Sequence, residues 1–333
     1  MRRRNVWLLS FLVVALLVSA HPLLAAPYFE GKRVTMVVAF GPGGGYDRNG
    51  RLMAKYLPKH IPGKPTIVVE NREGAASILA ANYLYNLPKP DGLTFGVVIK
   101  GLPYAQMRKV EGIKFDLRKF TWIGSTATEA TVLALRTDLP YKTANDLLKS
   151  KTTINVGGTG PAEISYQFCV FLKEFLGVDL KLITYPSSPD VMLAVERKEV
   201  DGRAGSYSSL KPYIDRGLVR PIIRGSAVEP GIENLTSAED LMTDKRGKIF
   251  MGLLAGTDRI GRPYVAPPGV PAEIANILRD AFAKTAKDPE LKAEADKMKI
   301  SIDFIPADEC LKEINFILNQ PEDIVNDFIK YVK

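Results

Sequence analysis

The octet Phe40-Gly41-Pro42-Gly43-Gly44-Gly45-Tyr46-Asp47 does most to limit what this chain can fold into. Before it stands the apolar run 34–40, rich in β-branched residues, which reads as a buried parallel strand. After it comes 48–57, where Leu52, Met53, Tyr56 and Leu57 recur at helical spacing. A strand, a glycine turn and a helix start in immediate succession open a βαβ unit. Successive glycines leave backbone N–H groups uncovered and the helix adds its positive end, so the turn suits an anionic group as well as a plain tight connection. Neither nucleotide motif fits. A P-loop would need Gly-Lys-Ser/Thr after the glycines, and a dinucleotide fingerprint a third glycine where this chain has Tyr46 or Arg48. The turn therefore favours a carboxylate over a phosphate.

The βα alternation continues. Strands are expected at 66–71 and 93–99, with a helix carrying Leu79, Tyr83, Leu84 and Leu87 between them, and further strands at 121–124 and 132–135. The opening pattern then recurs. A strand at 153–156 runs into Gly157-Gly158-Thr159-Gly160-Pro161, and an amphipathic helix spans 164–176 with Ser165 in its first turn. Strands at 180–185, after Val200 and at 219–224 complete a second set, and 250–255 reads as one strand more. Helices follow at 272–287, 289–299, 310–319 and 322–331. Helices without strands of their own cannot form a third lobe, so the tail is expected to cover the first. This gives an α/β fold with residues 27–129 and 252–333 in lobe 1 and 130–251 in lobe 2, the chain crossing twice. Each lobe carries a glycine turn at a strand's end, where ligands of parallel sheets bind.

The segment 1–26 has the order of a secretory signal peptide: Arg2-Arg3-Arg4, an apolar core over 6–18, and small residues at Ser19-Ala20 and Ala25-Ala26. Cleavage after Ala20 or Ala26 fits, and either predicts a soluble, periplasmic protein. Losing Arg2, Arg3 and Arg4 takes the formal net charge from +8 to +5. The remaining basic residues are scattered, which argues against nucleic acid as a partner. Cys169 and Cys310 fall in different lobes and are expected as buried thiols. His60 is the only histidine after the signal segment, so the usual metal sites and histidine-based triads cannot be assembled, and no cofactor is implied.

The order and spacing of several short motifs resemble a known family: Phe40-x-Pro42-Gly43-Gly44-x-x-Asp47 with Arg51, Val69-Glu70-Asn71-Arg72, Pro90-Asp91-Gly92, Tyr185, Val200-Asp201 and Ala266-Pro267-Pro268-Gly269-Val270-Pro271. They are similar to the Bug-type extracytoplasmic receptors of tripartite tricarboxylate transporters. The resemblance implies a type II periplasmic-binding-protein fold, two α/β lobes with a central cleft and two crossover strands, closing around a small organic acid. It also implies delivery to membrane permease subunits, by a monomer. One ligand carboxylate would sit between the turns 41–47 and 157–165. The chain departs from the family pattern at Gly41, over 72–77, at Pro161-Ala162-Glu163 and at Tyr185-Pro186-Ser187-Ser188. These positions neighbour the ligand, which implies a specificity of its own.

Candidate ligand-binding residues follow from both readings. Gly43, Gly44, Gly45 and Asp47 belong to the first turn, Gly158, Thr159, Gly160 and Ser165 to the second, and Asp47 doubles as a helix-start cap. Ser187 and Ser188 either donate to the solute or cap the next helix. Asp201 and Arg203 project to one side of a strand, forming an internal pair or an anion contact. Phe40, Tyr46 and Tyr207 are candidate apolar walls, or ordinary packing. Two other functions use the same residues: a sensor that reports an acid to a signalling partner, and an α/β hydrolase built on Ser165 or Ser206, for which His60 is poorly placed as a base.

Overall fold

The protein is described by a computed structural model over residues 27–43, 45–160, 164–186 and 188–331. The expected signal segment 1–26, Gly44, residues 161–163 and Ser187 lie outside the described residues.

The apolar run becomes β1 (Arg33–Val38), with Val34, Met36, Val37 and Val38 all buried, as a strand covered on both faces requires. It pairs in parallel with β2 (Thr66–Asn71) and β3 (Thr94–Val97), and α1 (Gly45–His60) and α2 (Ile78–Tyr85) form the crossovers. Val38 lies opposite both Asn71 and Val97. The three strands therefore end level. The glycine turn after β1 and the short helix α3 (Leu102–Met107) after β3 emerge along one edge. β4 (Thr121–Ser125) lies farther out in this sheet.

The second sheet repeats the plan. It is built from β5 (Thr131–Arg136), α4 (Ala144–Leu148), β6 (Ile154–Gly158), α5 (Ile164–Leu176), β7 (Leu180–Thr184), α6 (Ser188–Glu196), β8 (Gly202–Ser206), α7 (Tyr207–Asp215) and β9 (Val219–Arg224). The strand order is β7-β6-β8-β5-β9. β6 runs parallel to β7 and β8, with Gly158 opposite Thr184. Antiparallel β5 begins at Thr131 opposite Ser206, the last residue of β8, so Thr131 joins the strand-end edge of this sheet.

After α8 (Ala238–Leu241), the stretch expected as a strand at 250–255 lies inside α9 (Lys245–Arg259). Phe250, Met251, Leu253, Leu254 and Ala255 are all buried, and a helix covered on most sides shows no polar face to reveal its period. The discriminating signal was Asp244, whose carboxylate caps the helix by accepting from the N–H groups of Arg246 (2.7 Å) and Gly247 (3.0 Å). β10 (Pro263–Ala266) then inserts antiparallel between β3 and β4.

The tail comprises α10 (Ala272–Ala286), α11 (Pro289–Met298), β11 (Ile305–Pro306), α12 (Ala307–Leu318) and α13 (Glu322–Tyr331). β11 completes the six-stranded order β11-β4-β10-β3-β1-β2, and α10 and α11 pack on α1. The last helix departs from expectation. Phe328 of α13 lies 5.7 Å from Phe171 and 5.5 Å from Phe250, ring centre to ring centre, and Tyr331 lies 5.7 Å from Phe175. It covers the helices of the second sheet, where α5 and α9 present an aromatic face, and its Phe328 also reaches the first lobe, 5.5 Å from the Tyr104 ring of α3. Burying one such ring contributes about 2–3 kcal/mol.

The chain leaves the first sheet after β4 and returns before β10, and the two connections run side by side. Glu129 N donates to Asp258 O (2.8 Å), Thr131 N to the Asp258 carboxylate (3.0 Å), and Thr126 N to Arg262 O (3.3 Å). Cys169 and Cys310 are buried in separate clusters and form no disulfide.

Candidate functional site

Asp47 organises the first turn. Gly43, at φ +83°, directs its N–H to Asp47 Oδ2 (2.8 Å), and the same carboxylate accepts from Arg51 Nε (2.9 Å) and Asn71 Nδ2 (2.8 Å). Burial alone would raise the Asp47 pKa, but these donors outweigh it and hold the carboxyl below its usual range. Its oxygens are thus engaged in closing the turn and tying it to the end of β2. A Cβ at Gly45 would stand 3.3 Å from a terminal nitrogen of Arg262, so the guanidinium packs close to the start of α1.

Tyr46 points the other way. Its ring stacks on Phe40 with centres 4.6 Å apart, and the Arg262 guanidinium lies 5.1 Å from the ring centre. The Tyr46 hydroxyl donates to Gly261 O (2.9 Å) and accepts from Lys100 N (3.3 Å). Burial, with the Glu129 carboxylate nearby, pushes this phenol up to about 12, so it remains a donor at neutral pH.

Tyr46 lines a cavity of about 250 Å³ between the sheets. From the first sheet it receives Ile99, Lys100 and Gly101, which follow β3; from the second it receives Thr131, Ser206 and the start of α5, Ile164 and Ser165; Glu129 enters from the crossing segment. Lys100 Nζ lies 2.8 Å from Asp258 Oδ1, 3.2 Å from Glu129 O and 3.5 Å from Glu129 Oε2. Burial disfavours the ammonium, yet the Asp258 and Glu129 carboxylates more than compensate and raise its pKa. Arg262 pairs with Glu129 Oε1 at 2.7 Å. Glu229 accepts from Ala130 N (2.5 Å) in the crossing segment, and burial pushes its carboxyl up to about 7. The Lys100 ammonium is thus held by Asp258 and Glu129, and Lys100 borders the same cavity as Ile164 and Ser165 at the start of α5.

Several sequence candidates come together here and others do not. Tyr46 and Ser165, in the first turns of the helices that follow the two glycine turns, both line the cavity, whereas Phe40, Gly43, Gly45, Gly158, Thr159 and Gly160 do not. Gly158 and Gly160 are buried backbone leading to α5, Gly160 at φ +124°, and Thr159 is half-buried. Ser188 Oγ accepts from Arg203 (2.6 Å), an engagement within the second lobe. Asp201 does not position Arg203: it accepts from Asn155 N (2.8 Å) and lies 3.6 Å from Arg136, because it precedes β8 at the end away from the cavity. Tyr207 is no wall of this cavity; it is buried in the second lobe's core beside Leu210 and Met192. Gly44 and Ser187 lie outside the described residues. Ser206 borders the cavity, but His60 pairs with Asp288 (2.8 Å) where α1 meets α11. Lys100, Glu129 and Thr131 were missed, although the strand-end rule applied to β3 points at Lys100-Gly101.

The model of the TctC family, the tripartite tricarboxylate transporter family receptor, matches residues 51–325. The chain belongs to this family. Receptors of the family are periplasmic solute-binding proteins. Among solved structures this receptor is similar to a TctC solute-binding protein from Polaromonas, with TM-score 0.72 and 19% identity over 89% of this chain and 98% of that one. It is also similar to MatC from Rhodopseudomonas palustris with bound malate (TM-score 0.62, 22% identity, 88% and 99% covered). A third likeness is R. palustris Rpa4515 with adipate (TM-score 0.64, 19% identity, 89% and 97% covered). At these identities the likeness establishes the fold: two α/β lobes of the periplasmic-binding-protein type.

Proposed function

We propose that this receptor captures a small organic acid in the cavity between its lobes and delivers it to the permease subunits of a tripartite tricarboxylate-type transporter, after export and removal of residues 1–26. The observation that carries the reading is the composition of one cavity wall by both lobes. Lys100 and Tyr46 come from the first; the Ser165 and Ser206 hydroxyls and the positive end of α5 come from the second. A carboxylate there shares the Lys100 ammonium with Asp258 and Glu129 and accepts from hydroxyl and backbone N–H groups, the charge-assisted pattern that binds anions well. Malate and adipate, bound by two proteins of the same fold, are acids of this class. Contacts to both lobes are complete only when the lobes approach, so ligand favours the closed form. The two crossing segments, hydrogen-bonded to one another, act as the hinge.

Thermal unfolding against a panel of mono-, di- and tricarboxylates and aromatic acids tests this. A ligand present at a hundred times its Kd stabilises the folded state by about 2.7 kcal/mol, an upward shift of several degrees. A melting temperature unmoved by every acid defeats the proposal.

A further inference from the structure

Ile99, Gly101 and Ile164 form one boundary of the cavity. These three residues also line an adjoining recess of about 380 Å³, whose other walls are mostly apolar: Ala75, Ala76, Ile78, Leu102, Ala105 and Val110. The recess is more than twice the roughly 150 Å³ that houses a benzene-sized group. Two charged residues border it, Arg108 and the exposed Glu111. Arg108 is half-buried, and among the described residues its guanidinium has no ion pair and no hydrogen bond. The wall at 75–77 is strained: Ala75, Ala76 and Ser77 have φ of 44°, 47° and 76°, left-handed values that cost side-chain-bearing residues about 1 kcal/mol or more each. Ser77 Oγ accepts from Ile99 N (3.2 Å), fastening this turn to the strand end that divides the two chambers. The segment shapes the recess through Ala75 and Ala76.

We infer that the recess is a specificity subsite of the same binding site: it takes the apolar body of an elongated dicarboxylate, of about six methylenes, whose second carboxylate pairs with Arg108. The inference rests on the carboxylate reading above and adds the ligand's length and its far end. A chain of that length covers Ile99, Ile164, Leu102 and Ala105, and an apolar body gains from leaving water as succinate, with two methylenes, does not. Arg108 supplies the planar, bidentate partner that a terminal carboxylate favours.

Titration calorimetry with succinate, suberate and octanoate tests it. Suberate is expected to bind at least about tenfold tighter than succinate, from four further methylenes leaving water, and tighter than octanoate, which lacks the second carboxylate. Arg108→Gln should erase the advantage of suberate over octanoate. Ala105→Phe should flatten the length dependence, and Val110→Asp, at a half-buried position, should do the same if the first variant fails to fold. Succinate and suberate binding equally, or suberate binding unchanged in Arg108→Gln, overturns the subsite while leaving the carboxylate reading intact. Binding of none of the three acids overturns the subsite, and the carboxylate reading falls with it only if the wider acid panel also leaves the melting temperature unmoved.

Discussion

Replacing Glu229 by Gln should make the protein more stable above neutral pH and leave it nearly unchanged in acid. Glu229 is buried at the hinge, and its carboxyl rises from 4.5 to about 7, first through burial and then through repulsion by Glu129, against the Ala130 N–H that it accepts. The folded state therefore holds this proton more tightly than the unfolded chain does. Its contribution is fully present below about pH 4.5 and is lost as pH rises to about 7, because in that window the folded state binds more protons. At 1.36 kcal/mol for each pKa unit, the loss amounts to at most about 3 kcal/mol. Glutamine keeps an oxygen to accept from Ala130 but does not titrate. Urea unfolding of both proteins at pH 5 and pH 8 isolates this group, since all other titrating groups are shared and cancel in the difference. The variant should gain up to about 3 kcal/mol on the parent between the two pH values. Parallel pH profiles, or a variant less stable at pH 8, would refute the argument.

Lys100→Gln leaves Asp258 and Glu129 without their shared cation, and should lower stability by about 3 kcal/mol in urea unfolding and abolish the thermal response to acids. Asp47→Ala removes the acceptor of Gly43, Arg51 and Asn71; a loss of about 1–2 kcal/mol in the urea midpoint analysis is expected, with Asp47→Asn recovering part. Ser165→Ala should weaken acid binding about tenfold or more by calorimetry, with little change in melting temperature, as expected for a hydroxyl donating to a charged ligand. Phe328→Ala should cost about 3–5 kcal/mol in urea unfolding if α13 is integral to the second lobe, and far less if it is a loose appendage.

The parallel halves of both sheets were legible because their signal is local. Apolar strands, glycine turns and amphipathic helices alternate, and β9 and α5 fall where the pattern places them. The misreading of 250–255 has a physical source, since a helix buried on most faces loses the periodicity that identifies it. The placement of α13 depended on aromatic partners in α5 and α9, contacts that no local pattern encodes. At the site, Tyr46 and Ser165 were legible as members of glycine turns. Lys100, Glu129 and Thr131 became visible only when the level ends of β1 and β3 and the antiparallel start of β5 placed them on one cavity. Asp201 and Arg203 show the converse. Alternation along a strand puts two residues on one face, but it does not say which end of the strand reaches the ligand.

A crystal structure of the receptor grown with a dicarboxylate that raises its melting temperature is the most direct test. One ligand carboxylate should lie within hydrogen-bonding distance of Lys100 Nζ on one side and the Ser165 hydroxyl or the first N–H groups of α5 on the other. An acid seated against one lobe alone, or outside the space shared by Tyr46 and Ser165, would contradict the account.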